Sequence, residues 1–362
     1  MKFKTLLFTF PLIAFACAQV PDGYYDDAEG LEGYELKTAL KEIINNQTVL
    51  SYGSLDDYYP QTDKDLYYEN DNSLLDIYSE KPDGPDSYNY GFGQSDQCGN
   101  YNSEADCWNK EHIFPQGFFN EHLPMRTDLH QVLPTDGYVN NRRSNYPFGK
   151  VGNASWTSTN GSKVGSSATP GFSGTVFEPI DEFKGDVARI LFYFATRYED
   201  EVTSSGWDNP DADPSNPLNG TSDQVYEDWQ IDILLQWNQQ DPVSQKEIDR
   251  NNGVYNIQGN RNPFVDHPEW VNAIWNPDGM SVSDSNVESI KIYPNPVKNI
   301  LNVKSDSKIE KVELFNTNGK KIQSGKPNTK DVEINMNHLP AGVYILKTTI
   351  NGKASSQKIV KK

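Results

Sequence analysis

Long apolar runs, histidine and cysteine are all scarce in this chain of 362 residues. Beyond the N-terminus no stretch approaches the roughly 20 apolar residues that a membrane helix needs, so no membrane span is expected there. His-Glu-x-x-His does not occur among the five histidines, which removes the common zinc-protease helix. Neither standard glycine-rich phosphate loop is present, which argues against a nucleotide-hydrolysing engine, and the Gly-x-Ser-x-Gly elbow is missing too. Positive charge is also short: 32 Lys and Arg stand against 51 Asp and Glu, a net charge of −19. The shortage is uneven. Residues 287–362 carry about 14 basic against 6 acidic residues, roughly +8, which leaves about −27 for the rest. Such a break in composition marks a domain boundary.

The N-terminal residues have a character of their own. Lys2 and Lys4 precede an apolar run, Leu6 to Ala16, and Ala16-Cys17-Ala18 forms a small-x-small cleavage site. Together they read as a secretory signal peptide, residues 1–18, removed from the mature chain. A buried N-terminal helix is the alternative. Lipidation at Cys17 ranks second, because Ala14-Phe15-Ala16 lacks the usual upstream leucine. Cleavage leaves Cys98 and Cys107. An even count in an exported chain suggests a disulfide; otherwise both thiols are free and buried. Two cysteines alone do not make a structural zinc site.

Helical spacing is visible in Leu36, Leu40, Ile43 and Ile44, and most clearly from Gly185 to Tyr198, where Val187, Ile190, Leu191 and Phe194 share a face. Further helices are expected over about Glu227–Gln239 and Pro242–Asn251. Leu74 to Tyr78 looks strand-like within a turn-rich segment, and the Gly, Ser and Thr of residues 150–175 suggest a long surface loop. After about Asp284 the texture changes to short β-type runs beginning at Ile290, Ile300, Val312, Val332 and Val343. Asn318-Gly319 and Asn351-Gly352 are turn signals between them. This spacing predicts a small β-sandwich. Its motifs, Tyr293-Pro-Asn-Pro296, Phe315-Asn-Thr-Asn-Gly-Lys320 and Leu339-Pro-Ala-Gly-Val-Tyr-Ile-Leu346, resemble the C-terminal sorting domain of type IX secretion substrates. That resemblance implies export across both membranes of a Gram-negative cell by the type IX machinery, usually with removal of the domain. A carbohydrate-binding or adhesion module is the alternative.

One cluster remains for chemistry: Trp108-Asn-Lys-Glu111-His112-Ile-Phe-Pro115, then Asp128-Leu-His-Gln-Val-Leu-Pro134, then Val139-Asn140-Asn-Arg142-Arg143-Ser-Asn-Tyr146. Hydrolysis of a phosphodiester needs a base for water, a metal to neutralise phosphate charge, and a cation to steady the product. A histidine near its ordinary pKa of about 6.5 suits the first role. Carboxylate and amide oxygens suit Mg²⁺, which keeps several waters and needs one or two protein ligands. Each residue alone has a plainer reading. Glu-His can be a solvated turn or a core histidine, Asn140 a helix cap or turn, and Arg142-Arg143 a solvated basic pair.

The three blocks in this order resemble the endonuclease I family of secreted or periplasmic bacterial nucleases, of the His-Me-finger or ββα-metal type. Further blocks agree: Phe177-Glu-Pro179 with Lys184-Gly-Asp-Val-Ala-Arg189, Leu235-x-Trp-Asn-x-x-Asp-Pro-Val243, and Gln258-Gly-Asn-Arg-Asn-Pro-Phe-x-Asp-His-Pro268. The resemblance covers about residues 30–275. It implies an α+β fold: a mainly helical catalytic domain, residues 19–280, with a ββα-metal core, a linker at 281–288 and the sorting domain at 289–362. It implies His112 as general base, held by a backbone carbonyl on its other ring nitrogen. Glu111 and Asn140 would be the ligands of one Mg²⁺, with Mn²⁺ or Ca²⁺ as alternatives. Arg143 matches an arginine that contacts phosphate or forms a structural salt bridge, and Arg126 is the candidate for steadying the product. Arg189, Asn260, Arg261, Asp266 and His267 fall to the fold. The implied activity is secreted, non-specific hydrolysis of DNA, and of RNA as well, leaving 5′-phosphate ends. Lys110, Arg126, Arg142, Arg143 and Lys150 predict a confined basic cleft and salt-sensitive binding. Two competing readings are a polysaccharide-acting enzyme or binding module, suited by the many Tyr and Trp, and a catalytically dead surface protein. No carboxylate pair can be singled out for the former, and the intact Glu111, His112 and Asn140 count against the latter.

Overall fold

The computed structural model describes residues 20–203, 215–277, 291–316, 321–350 and 353–362; helices and short hairpins share the chain up to residue 277, and the described elements from residue 291 onward are all strands. The signal peptide at 1–18, the linker at 281–288 and the turns at Asn318-Gly319 and Asn351-Gly352 lie outside the described residues. Two units separate by internal contact, residues 1–280 and 281–362.

The first unit runs α1 (Gly33–Ile44), α2 (Tyr59–Thr62), β1 (Trp108–His112), β2 (Val132–Asp136), α3 (Gly137–Arg143), β3 (Val151–Thr157), β4 (Lys163–Ser167), β5 (Thr175–Glu178), α4 (Lys184–Arg197), α5 (Asp228–Gln240), α6 (Gln245–Gln258), α7 (Pro263–Asp266) and α8 (Glu269–Trp275). Helix α4 is buried at every position. Its apolar side chains meet those of α1, α5 and α8 in one core that includes Leu36, Phe194, Leu234 and Ile274. Its charges are internal as well, so they must be paired. Arg189 grips Glu247 through Nε at 2.5 Å and Nη2 at 2.8 Å. The same Glu247 closes a capping box with Ser244, which starts α6 there and not at Pro242. Helix α6 also runs seven residues past the expected Asn251, to Gln258.

Two sequence expectations change here. The Gly/Ser/Thr stretch forms β3 and β4 of an antiparallel three-stranded sheet with β5, not a loop. Small residues permit this pairing: a Cβ on Gly165 would sit 2.1 Å from the Asn153 carbonyl oxygen. Conversely, Leu74 to Tyr78 is no strand. Leu74 makes a single bridge to Lys64, and the chain then turns, with Asp76 accepting the Tyr78 N–H at 2.8 Å.

The second unit comprises β6 (Lys291–Tyr293), β7 (Ile300–Asn316), β8 (Lys321–Gly325), β9 (Thr329–Asn335), β10 (Gly342–Ile350) and β11 (Lys353–Lys361). The expected sandwich is instead one six-stranded sheet. The reason is β7, whose 17 residues run through Ser305-Asp306-Ser307 without a break. Its first part pairs with β6 and β9, its last part with β8 and β10. The sheet curls so that Leu301, Val303, Leu314, Leu346 and Ile359 share a core.

Candidate active site

Strands β1 and β2 form an antiparallel hairpin in which Glu111 lies opposite Leu133 and His112 opposite Val132. Helix α3 follows β2 at once, because Asp136 ends the strand and caps the helix, its Oδ1 accepting the Val139 N–H at 2.8 Å. Just before β1, the Cys98–Cys107 disulfide closes its short loop. The hairpin, the disulfide loop and α3 border a cleft of about 580 Å³, lined by Glu111, His112, Asn140, Tyr52, Lys110 and Arg143 among others. The three residues singled out in the sequence therefore meet in one place.

His112 is 4% exposed. Burial pushes its pKa down to about 4, opposed by its bond to the Arg126 backbone and reinforced by Arg126, Arg143 and Lys110. The ring is therefore neutral at pH 7. Its Nε2 sits 3.0 Å from the Arg126 carbonyl oxygen. A carbonyl only accepts, so Nε2 carries the proton and Nδ1 is left as the basic nitrogen. Tyr52 stacks on the ring, with centroids 6.2 Å apart and planes 13° from parallel.

Glu111 is 2% exposed. Its Oε1 accepts the Tyr78 hydroxyl at 2.7 Å and lies 3.5 Å from Arg143 Nε. Burial raises its pKa, with Arg143, Tyr78 and the His112 backbone pulling the other way. Asn140 is the fourth residue of α3. Its Nδ2 donates to Asn109 Oδ1 at 2.8 Å and to the Lys110 carbonyl at 3.3 Å. The Lys110 carbonyl fixes the amide orientation, so Oδ1 is the atom left to act as a ligand. One carboxylate and one amide oxygen form a hard donor set that fits Mg²⁺ or Ca²⁺, with water completing the shell.

The two arginines have different settings. Arg143 is 1% exposed. Nη1 donates to the carbonyls of His112 and Ser144, both at 3.2 Å, and Nη2 to that of Ile113 at 2.6 Å. The guanidinium lies over the Phe148 ring, 4.7 Å from its centroid. Arg126 is partly exposed; it covers the Tyr52 ring at 4.5 Å and pairs with Glu121 at 2.8 Å. Lys110 pairs with Asp56. Three of the five expected cations thus face carboxylates, while Arg142 and Lys150 are exposed and carry no ion pair among the described residues. The basic cleft is more compensated than its sequence suggested.

Two aromatic residues were not legible as site residues. Tyr52 and Tyr78 come from segments 60 and 33 or so residues before the cleft, and no periodicity or motif marks either. The remaining histidine of the cluster, His130, is buried and donates from Nε2 to the Asn260 carbonyl at 3.0 Å. Beside it, Asp128 accepts the hydroxyls of Tyr193 and Tyr198 and the Gln258 amide. Arg261 pairs with Asp266 at 2.6 Å. These groups, like Arg189, hold the fold together.

Residues 32–269 match the family model described as Endonuclease I, and residues 291–362 match that of a secretion system C-terminal sorting domain. The chain is 35% identical over 276 residues to the extracellular ribonuclease of Bacillus subtilis (strain 168), covering 74% of this chain and 84% of that protein. It is 36% identical over 255 residues to the extracellular ribonuclease of Bacillus amyloliquefaciens, covering 70% and 78%. It is also similar to the endonuclease-1 of Buchnera aphidicola subsp. Baizongia pistaciae, 28% identical over 141 residues, 39% of this chain and 46% of that one.

Proposed function

Since this chain belongs to the endonuclease I family and is a secreted nuclease, we propose that it is a metal-dependent, non-specific endonuclease acting on both RNA and DNA. The carrying observation is the neutral His112 ring, whose Nε2–H is engaged by the Arg126 carbonyl while Nδ1 stays basic at the cleft. His112 Nδ1 takes the proton of the attacking water. The water oxygen joins phosphorus, the bond to the 3′ oxygen breaks, and that oxygen regains a proton, leaving a 5′-phosphate and a 3′-hydroxyl.

Glu111 and Asn140 hold a single divalent cation, Mg²⁺ in the first instance. Such an ion neutralises charge on the phosphate and the leaving oxygen when bound. Hairpin β1–β2 with helix α3 is then the ββα-metal core. Tyr78 and Arg143 keep the Glu111 carboxylate in place. Arg126, beside His112 and partly exposed, remains the phosphate-steadying candidate, whereas Arg143, with Nη1 and Nη2 donating to backbone carbonyls and Nε facing Glu111, acts as an internal brace. Residues 289–362 direct the chain to the type IX machinery after removal of residues 1–18.

Degradation of plasmid DNA and of an RNA tests this reading. We expect activity with Mg²⁺ and loss with EDTA. His112→Ala loses at least about 100-fold while binding Mg²⁺ normally, and Asn140→Ala weakens Mg²⁺ binding. An active His112→Ala variant, or EDTA-resistant cleavage, overturns it.

A further inference from the structure

Away from the nuclease cleft, the segment from Asp65 to Asp86 gathers carboxylates that form no salt bridge with a basic side chain among the described residues. Asp65 opens a loop closed by its own N–H to the Ser73 carbonyl at 2.9 Å and by the Asn72 N–H to the Asp65 carbonyl at 3.3 Å. Asn70 and Asn72 take left-handed backbone, φ 53° and 67°, which asparagine tolerates and which lets the chain reverse. Inside the loop, the N–H groups of Tyr67 and Tyr68 donate to Asp65 Oδ1, both at 3.0 Å, and that of Asn70 to Oδ2 at 2.9 Å. Those bonds hold the Asp65 carboxylate rigidly. Glu69 comes from the same loop. Glu80 comes from the next turn, anchored by its N–H to the Asp76 carbonyl at 2.9 Å. One carboxylate oxygen from each of Asp65, Glu69 and Glu80 lies within 4.8 Å of the others.

Asp65 and Glu80 are each 1% exposed. Among the described residues, Oε1 of Glu80 and Oε2 of Glu69 are buried and have no hydrogen-bond partner. Among the described residues, no Lys, Arg or His forms a salt bridge with any of the three. The basic groups nearby are spent elsewhere: Lys81 on the Ser87 hydroxyl and Arg250 on Asp63. A buried carboxylate oxygen with neither a hydrogen-bond donor nor a counter-charge is strongly disfavoured, and among the described residues Glu80 Oε1 and Glu69 Oε2 have neither, whereas backbone N–H groups satisfy Asp65.

We propose that Asp65, Glu69 and Glu80 form a second cation site, separate from Glu111 and Asn140, that takes Ca²⁺. The donors are all oxygen, with no imidazole or thiolate to favour a transition metal. Ca²⁺ accepts six to eight oxygens in irregular geometry, whereas Mg²⁺ demands a near-ideal octahedron and gives up water reluctantly. A secreted protein meets enough Ca²⁺ for an affinity of about 10⁻⁴–10⁻³ M to suffice. The site's role is structural. Its turn leads directly into Asp76-Ile77-Tyr78, so the ion also steadies the segment that brings Tyr78 to Glu111.

The test uses the full chain, stripped with EDTA and dialysed free of metal, with CaCl₂ as the probe. At about ten times its dissociation constant, Ca²⁺ should raise Tm by roughly 3–6 °C in the unaltered protein and in Glu111→Gln, and by less than about 1 °C in Glu80→Gln. An equal rise in Glu80→Gln, or its loss in Glu111→Gln, overturns the proposal. Equilibrium dialysis gives a measure independent of whether Glu80→Gln folds. Glu111→Gln should retain one Ca²⁺ per chain, and a chain that retains none refutes the site. Neither readout depends on nuclease activity, so this inference and the nuclease reading fail separately.

Discussion

Arg143→Met keeps much of the side chain's volume and removes its charge and all its donors. In the structure that guanidinium bridges three backbone carbonyls and stands 3.5 Å from Glu111 Oε1, with both residues almost fully buried. Removing one partner of a buried ion pair costs about 3–5 kcal/mol, because the other charge is left unpaired. At 2–4 °C per kcal/mol for a unit of this size, Tm should fall by about 6–20 °C. Glu111 should also become easier to protonate, since Arg143 is the strongest influence holding its pKa down. Two assays separate the brace from a phosphate ligand: scanning calorimetry, and DNA affinity measured across a salt series in a His112→Ala background. A brace predicts the Tm loss with an unchanged slope of log affinity against log salt. A lost phosphate contact lowers that slope by about 0.9 for duplex DNA. A shallower slope with Tm unmoved would refute the internal role.

Tyr78→Phe removes only the hydroxyl that donates to Glu111 at 2.7 Å. The Mg²⁺ concentration for half-maximal cleavage should rise roughly 10–100-fold, with kcat largely recovered at saturating Mg²⁺; an unchanged Mg²⁺ dependence removes Tyr78 as a positioning residue. His130 supplies a pH prediction. Burial lowers its pKa to about 4, opposed by Asp128 and its Asn260 hydrogen bond, with Arg250 and Arg261 lowering it further. The unfolded chain takes up this proton near 6.5, the folded chain only near 4. The unfolded state therefore binds more protons between those values, and stability falls as pH drops through them, by about 3 kcal/mol from this group. In urea unfolding, His130→Gln should shrink the stability difference between pH 7 and pH 4.5 by roughly 2–3 kcal/mol. An undiminished difference contradicts a buried neutral His130.

Helix α4 was legible because burial on a helix imposes a 3.6-residue repeat that single residues display. The repeat does not reveal that the helix buries Arg189 and Arg197 as well, with Arg189 paired to Glu247. Strand β7 differs from the short runs expected at Ile300 and Val312: Ser305-Asp306-Ser307 has turn composition, yet the strand continues through an irregularity there, paired with β9 before it and with β10 after it. Residues 150–175 failed likewise. Gly, Ser and Thr signal loops by their statistics, but a close approach such as Gly165 to Asn153 requires small residues within a sheet.

For the cleft, it was the resemblance of three ordered blocks to the endonuclease I family that singled out Glu111, His112 and Asn140, and the structure brings those residues together from β1 and α3. Hairpin pairing and the Asp136 cap are local, which is why these neighbouring blocks end up side by side. What only the tertiary structure decided is which groups complete each residue. Tyr78 reaches Glu111 and the Arg126 carbonyl reaches the His112 ring across loops. Arg143 turns inward because three backbone carbonyls and a buried carboxylate hold it there. Protonation states follow from those contacts and from burial, neither of which any one stretch of sequence contains. The same holds for Asp65, Glu69 and Glu80. As a sequence they are ordinary acidic residues, and only the closure of one loop against the next turn leaves them buried together.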